Sequence, residues 1–455
     1  MAIQPHAPSD DAPAAATARE LVARRVARRA QQFPDLELQP LDTTTLGDAD
    51  PRDLALAGAI DHAVARRWTT LTTILAPRLR RRPWEELEWG LQATLLIGAA
   101  QLLLLDRIPT HAAIHTTVEL AKRIVRPGAA GLVNAVLRRV AESRSEIIDG
   151  NVFDRDTLPL GDGRSWRLTE PLFSAEPIER CAQQTATPIG LLRRWMDQHG
   201  EDAMHALAAH GLVPAPIIVT GLPEDAAQTA GHDEPGFRVY EGPSGSALTE
   251  LLEAHPGARV QDPGSARAIE MTAGLEPRLI VDACAGRGTK TKQLASLHPS
   301  ARIVATDVDE ARYRVLEATF RDHDRVDVVP PADLGDVRDQ TDLVVLDVPC
   351  SNTGVLARRV EAKYRFDDDR LAGLVSQQRQ IIVDALPLLA PRGAILYATC
   401  SIDREENEAQ AAWLMRWHPF SVIDQSMILP RGMPGDPPAR YSDGGFAALL
   451  RRQPR

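Results

Sequence analysis

Two cysteines stand where apolar runs end. Residues 394–398 read as a short buried strand led in by the turn Pro391-Arg392-Gly393, and Cys400 follows it flanked by hydroxyls, in Ala-Thr-Cys-Ser. Residues 343–346 read as a second strand, followed by Asp347-Val348-Pro349-Cys350-Ser351-Asn352-Thr353-Gly354. In an α/β sheet the carboxyl ends of strands open on the crevice where ligands bind, so Asp347, Cys350 and Cys400 are expected in one crevice. A lone free cysteine is most simply a small buried hydrophobe. Two thiols at adjacent strand ends beside a carboxylate point instead to nucleophilic chemistry.

A third stretch suggests what accompanies them. Residues 281–291, Val-Asp-Ala-Cys-Ala-Gly-Arg-Gly-Thr-Lys-Thr, join a strand to a helix. Their small residues let the backbone approach a ligand, and the helix N-terminus favours a carboxylate or phosphate. The spacing is neither the dinucleotide fingerprint nor a P-loop. Asp307 closes the next strand, where a carboxylate can accept both hydroxyls of a ribose. Together they predict a nucleoside-containing cofactor with its anionic end at residues 286–290.

The elements that position these residues follow from periodicity. Apolar runs at 279–283, 303–306, 326–329, 343–346 and 394–398 alternate with helical segments, which predicts a doubly wound, mostly parallel α/β sheet over residues 261–455. The helix after Cys400 is expected over 403–417. Residues 16–145 read as an all-α domain: helices at 17–32, from the Asp50-Pro51 start to about Leu75, at 84–105, at 110–126 with Gly128 as the stop, and at 129–143. Residues 146–186, rich in Asp, Gly and Pro, read as an irregular linker. Residues 187–260 read as a small α+β module, with a helix at 188–211 and strands at 214–219 and 237–240. Residues 1–15 offer little to bury and are expected as a disordered tail.

Composition narrows the class further. A chain of 455 residues exceeds what one core organises, and 44% hydrophobic residues suffice for several. Four cysteines, Cys181, Cys284, Cys350 and Cys400, show neither zinc-site spacing nor a disulfide framework, so no metal and a reducing cytoplasm are expected. The N-terminus lacks the basic and apolar regions of a signal peptide, and the apolar stretch 91–105 is too short to span a membrane. The expected protein is a monomer with no membrane partner. A net charge of −10 argues mildly against nonspecific adhesion to polyanions, so any such binding rests on patches. Nearly all positive charge is arginine, clustered at positions 24, 25, 28 and 29, at 78 and 80–82, and at 123, 126, 138 and 139 beside Lys122. These clusters read as solvated helix faces or as an RNA surface, and Arg358, Arg359, Lys363 and Arg365 as a charged loop or a grip on a polyanion.

With these residues in view, the chain resembles the Sun family of RNA cytosine-5 methyltransferases. Segments 282–291, 347–354 and 397–407 are similar to that family's motifs Asp-x-Cys-Ala-x-Pro-Gly-Gly-Lys-Thr, Asp-x-Pro-Cys-Ser and Thr-Cys-Ser followed by Glu-Glu-Asn. Segments 106–113 and 131–138 resemble the NusB-like helical domain of the bacterial branch that modifies 16S rRNA, 261–265 the approach to the catalytic domain, and Gly444-Gly445-Phe446 its last strand. The chain departs from the pattern with Arg287 in place of Pro and Thr289 in place of Gly, keeping Gly288 and Lys290. Residues 216–220 lack the Arg-x-Asn common there.

The resemblance implies a Rossmann-like methyltransferase domain and a 16S rRNA substrate, at a site of the cytosine 967 type. It implies Cys400 as the nucleophile on C6, Cys350 as the thiol for product release and Asp347 as the carboxylate orienting the base. S-adenosylmethionine is then expected against Cys284, Ala285, Gly286, Arg287, Gly288, Thr289 and Lys290, reaching Asp347, with Asp307 on the ribose and Asp333 near the adenine. The target cytosine must be single-stranded or flipped. A tRNA methyltransferase with the same core, and a noncatalytic ribosome-assembly factor with a relic domain, remain open at this point.

Overall fold

Residues 17–38, 50–79, 82–243 and 245–453 are described by a computed structural model. The expected tail, and Arg80 and Arg81 of one basic cluster, lie outside them. The chain divides into two compact units, residues 1–213 with 359–365, and residues 214–358 with 366–455.

Apolar spacing of three and four residues builds the first unit. Helix α1 (Ala18–Gln32) opens on a capping box between Thr17 and Glu20 and buries Val22, Ala23 and Val26. It is followed by α2 (Pro51–Arg66), α3 (Trp68–Leu75), α4 (Trp89–Leu103), α5 (Thr110–Ile124) and α6 (Ala130–Glu142). Helix α4 is apolar on every side and buried on every side, which makes it the centre of the bundle. Of its two buried glutamines, Gln101 donates to the Ile97 carbonyl and to Thr117, and Gln92 to the Trp84 and Leu87 carbonyls.

The helix expected to run from Pro51 to about Leu75 is broken at Arg67. The Arg66 carbonyl, which a continuous helix would use internally, accepts from Lys363 Nζ at 2.8 Å and Tyr364 Oη at 3.2 Å, while the Trp68 amide donates to Tyr364 Oη at 3.1 Å. The segment 359–365 thus takes over the hydrogen bonds of a helical turn. The start expected at Trp84 is a single 3-10 turn (Trp84–Glu86) ahead of α4.

Residues 146–186 are not irregular. Strands β1 (Arg144–Asp149), β2 (Thr157–Pro159) and β3 (Arg164–Leu168) form an antiparallel sheet in the order β1-β3-β2, followed by α7 (Pro177–Thr185). The helix expected over 188–211 is split at Gly200 into α8 (Ile189–His199) and α9 (Glu201–His210).

In the second unit, β4 (Ile217–Thr220), β5 (Thr229–Gly231), β6 (Phe237–Tyr240) and β7 (Arg259–Val260) form a four-stranded antiparallel sheet, with α10 (Ser246–Ala254) before β7. After α11 (Pro263–Glu270) come β8 (Leu279–Asp282), α12 (Thr289–Leu297), β9 (Arg302–Ala305), α13 (Glu310–Phe320), β10 (Val326–Val328), β11 (Thr341–Asp347), α14 (Asp368–Ala385), β12 (Leu389–Thr399), α15 (Glu408–Trp417), β13 (Phe420–Ile428) and β14 (Gly445–Arg452). The seven strands lie in the order β10-β9-β8-β11-β12-β14-β13, the first five mutually parallel and β14 antiparallel to both of its neighbours, β12 and β13. Alternation splits the core between the faces: Ile280, Leu343, Val345 and Leu396 on one, Val281, Val344, Leu346 and Ile395 on the other. This is the mostly parallel sheet expected from the sequence.

Candidate active site

The central strands determine which side chains meet. β11 and β12 run parallel with Asp347 opposite Ala398, so the chain after each strand leaves from the same edge. The loop after β11 carries Cys350, and the one after β12 begins at Cys400. Their sulfurs lie 3.2 Å apart. Gly354 allows the loops to close: its amide donates to the Cys400 carbonyl at 2.9 Å, and a Cβ there would fall 2.6 Å from the Gly444 oxygen.

Behind the thiols the helix expected from Asp403 does not begin until Glu408. Ser401, Asp403, Glu406 and Asn407 are fully buried, and their side chains bond the loops in place of a helical turn. Glu406 accepts from the Ser351 amide and from Gln378 Nε2, each at 2.9 Å, while Asn407 accepts from Thr399 Oγ1 at 2.6 Å and donates to the Ser401 carbonyl. Burial raises the Glu406 carboxyl above its ordinary range. Sequence reasoning quoted Glu-Glu-Asn as a motif and assigned it no role. Its work is to fix both cysteine loops.

In front of the thiols, Lys290 Nζ donates to Asp347 Oδ2 at 2.7 Å. Burial lowers the Lys290 ammonium, but the Asp347 charge and hydrogen bond outweigh it, so the group is raised and stays charged. Lys290, Asp347 and Cys400 line one pocket of about 40 Å³, with Arg267 of α11, Met271 just after it and Ser426 of β13 on its other walls. Lys290 was expected only on the cofactor. Its pairing with Asp347 is a finding that the sequence did not supply. Cys350 is held well above the usual thiol range, first by the hydrogen bond it shares with Cys400 and then by burial, so it keeps its proton at neutral pH.

The glycine loop has the form a nucleoside ligand needs. Gly288 caps α12 in the left-handed region at φ 89°, and a Cβ there would fall 2.5 Å from the Phe320 ring. Thr289 is simply the first residue of the helix and Arg287 is exposed, so both departures from the family pattern are accommodated. Asp307 accepts the Gly286 amide on one oxygen and the Asp309 amide on the other, each at 2.9 Å, leaving a lone pair on each. Cys284, on the same loop, is raised by burial, and Ala285 is buried with its amide on the Thr306 carbonyl. Asp282, fully buried under the loop, accepts from Thr291 at 2.7 Å and is pushed up to about 7 by burial. Asp333 is exposed on a 3-10 turn (Pro331–Val337) after β10. These donors and acceptors fit a cofactor carrying a ribose.

The grip on a polyanion expected of residues 358–365 is corrected for two of them. Arg358 is spent on Asp443 at 2.6 Å, Asp262 at 3.1 Å and the Pro216 carbonyl, over the Tyr441 ring. Lys363 is 2% exposed and donates to the Arg66 and Thr185 carbonyls. Arg365 lies 3.8 Å from Glu361, and Arg359 is exposed. In the helical region Arg29 and Arg25 pair with Asp61, Arg123 with Glu20, and Arg126 with Glu88, while Arg24, Arg28 and Arg138 are exposed. Among the described residues no helix is long and apolar enough to cross a membrane.

Comparison with known proteins agrees with this geometry. Residues 272–430 match the family model described as 16S rRNA methyltransferase RsmB/F, and residues 16–142 match the NusB family. The chain is 31% identical to the ribosomal RNA small subunit methyltransferase B of Erwinia tasmaniensis, over 91% of this chain and 93% of that one. It is 29% identical to the protein of the same name from Vibrio cholerae, over 89% and 90%. Among solved structures, that of PH0851 aligns with a TM-score of 0.70 at 18% identity, over 96% of this chain and 99% of that one, which shows a shared fold.

Proposed function

We propose that this chain, which belongs to the RsmB/F family of 16S rRNA methyltransferases, methylates C5 of a cytosine in 16S rRNA through a covalent bond between Cys400 and C6. The observation that carries this reading is the pair of thiols 3.2 Å apart beside the Lys290–Asp347 ion pair.

C5 of cytosine is a poor nucleophile. Addition of the Cys400 sulfur to C6, with its S–H proton passing to N3, converts the ring to an enamine whose C5 can attack an electrophile. S-adenosylmethionine, held by residues 284–290, supplies a methyl on a sulfonium when bound. Asp307 would take the ribose hydroxyls, and Asp333 would lie near the adenine. Asp347 orients the base, and Lys290 fixes Asp347 while offering positive charge to the ring as electron density builds on it. Loss of the C5 proton and departure of the Cys400 sulfur then restore aromaticity. Cys350, a protonated thiol within reach of that sulfur, donates to it as it leaves. A base inside a helix cannot reach thiols set at the strand ends, so the target is single-stranded or flipped.

The test separates the two thiols. Cys400→Ala is expected to abolish methyl transfer and to form no covalent adduct with RNA. Cys350→Ala is expected to transfer the methyl and stall, giving a denaturant-resistant protein–RNA band that disappears in the double variant. A band only in Cys400→Ala would make Cys350 the nucleophile and overturn the assignment. Bisulfite sequencing of total RNA from a deletion strain then identifies the lost 5-methylcytosine; its position in tRNA would refute the rRNA substrate.

A further inference from the structure

Asn352 is one of the few described residues other than glycine in the left-handed region, at φ 62°. Asparagine tolerates that backbone better than most side chains, so the position is permitted to it without requiring it. What its side chain does there is specific. Nδ2 donates to the Cys350 carbonyl at 2.8 Å, and Oδ1 accepts from Cys400 Sγ at 3.2 Å. The reverse orientation of the amide would set Oδ1 against a carbonyl oxygen, acceptor against acceptor. The Cys350 carbonyl therefore fixes which end of the amide faces Cys400, and it is the oxygen.

We propose that Asn352 is a positioning residue for Cys400, holding its S–H along one direction and so setting how readily the sulfur reacts. An acceptor aimed at a sulfur favours the protonated form and opposes the thiolate. The sulfur is thereby pointed in one direction before a base enters the pocket. The other groups facing Cys400 are the Cys350 thiol from the same loop, the Lys290 ammonium at the start of α12, Asp347 at the end of β11 and Arg267 of α11; Glu406 lies behind Cys350. Asn352, like the Cys350 thiol and unlike Lys290, Asp347 and Arg267, is uncharged, so its effect comes from its orientation alone. The catalytic half of the inference rests on Cys400 being the nucleophile; the contact itself does not.

The experiment is the pH dependence of Cys400 alkylation by iodoacetamide in the full-length chain, followed by peptide mass. Asn352→Gly keeps the backbone and removes the oxygen, and the midpoint is expected to fall by about half a pH unit. Asn352→Asp keeps the shape and adds charge, and the midpoint is expected to rise by about one unit, with a roughly tenfold slower methyl transfer at neutral pH. Loosening of the loop alone would move both variants in the same direction. Midpoints that move together, or not at all, overturn the inference. Because alkylation needs no RNA, that failure is separate from failure of the nucleophile assignment, which the Cys400→Ala adduct decides.

Discussion

Lys290, half-buried, and Lys363, buried, are two lysines in surroundings of opposite character. Lys290, in the second unit, faces the Asp347 carboxylate at 2.7 Å on the wall of a pocket. Lys363, in the first, donates to the carbonyls of Arg66 and Thr185 and lies over the Tyr364 ring, with the guanidiniums of Arg67 and Arg66 nearby. The first ammonium is raised above its ordinary range. The second is pushed well below it, by burial first and then by its cationic neighbours. Arg67, also buried, is lowered to about 9 for the same reason. A cation with a carboxylate partner is charge held ready for a substrate. One buried without such a partner is a structural peg that pays for its burial in protonation.

The largest effect that can break this contrast is catalytic. Lys290→Met is expected to slow methyl transfer at saturating S-adenosylmethionine by about 100-fold or more, the scale of losing one preorganised electrostatic contact, with little change in melting temperature. Retention of the rate would place Lys290 with Lys363 as scaffold. Next is Tyr364→Phe, which leaves the buried Trp68 amide without its acceptor. It is expected to cost about 1–3 kcal/mol in denaturant melts while the folded enzyme keeps its rate. Asp307→Ala sharpens the other side of the contrast. Calorimetric titration is expected to show S-adenosylmethionine bound about 1–2 kcal/mol more weakly, and an unchanged affinity in a folded variant would remove Asp307 from the ribose.

The smallest effect concerns Lys363 itself. Its folded pKa lies below its unfolded value of about 10.4, so the folded chain binds fewer protons and stability rises with pH through the window between the two. Below that window the penalty is full; above it the penalty vanishes. Lys363→Met removes the titration, and the alkaline rise in stability on the approach to about pH 10 is expected to flatten in denaturant melts. Parallel slopes for the two proteins would show that Lys363 carries no such penalty.

How much of this was legible in the sequence depended on the range of the determining contacts. Strands β8 to β12 announce themselves as short runs of Val, Ile, Leu and Ala, and the order of loops after them brought Asp347, Cys350 and Cys400 together as expected. Strands β1 to β3 are three to six residues long in an Asp- and Gly-rich stretch, where periodicity has too few positions to register. Arg358 and Lys363 looked like a solvated loop because charge suggests exposure. Their partners, Asp262 and Asp443 for one and Arg66 and Thr185 for the other, lie far along the chain. The bond between Lys290 and Asp347 was hidden for the same reason, and Asn352 reads locally as an ordinary turn residue.

The passage of residues 359–365 through the first unit bears on how such a protein can be inherited. The chain leaves the second unit after Arg358 and re-enters it at Phe366, so no single junction separates the two. Removing residues 1–145, which domain boundaries read from sequence treat as a clean truncation, would also remove Arg66 and Trp68 and strip Lys363 and Tyr364 of the groups that bury them. An unsheltered peg would then hang from the loop that carries Cys350. A gene for the methyltransferase half cannot be recombined onto a foreign N-terminal half without that half also bringing the socket for Tyr364. The two halves therefore have to vary as one heritable piece.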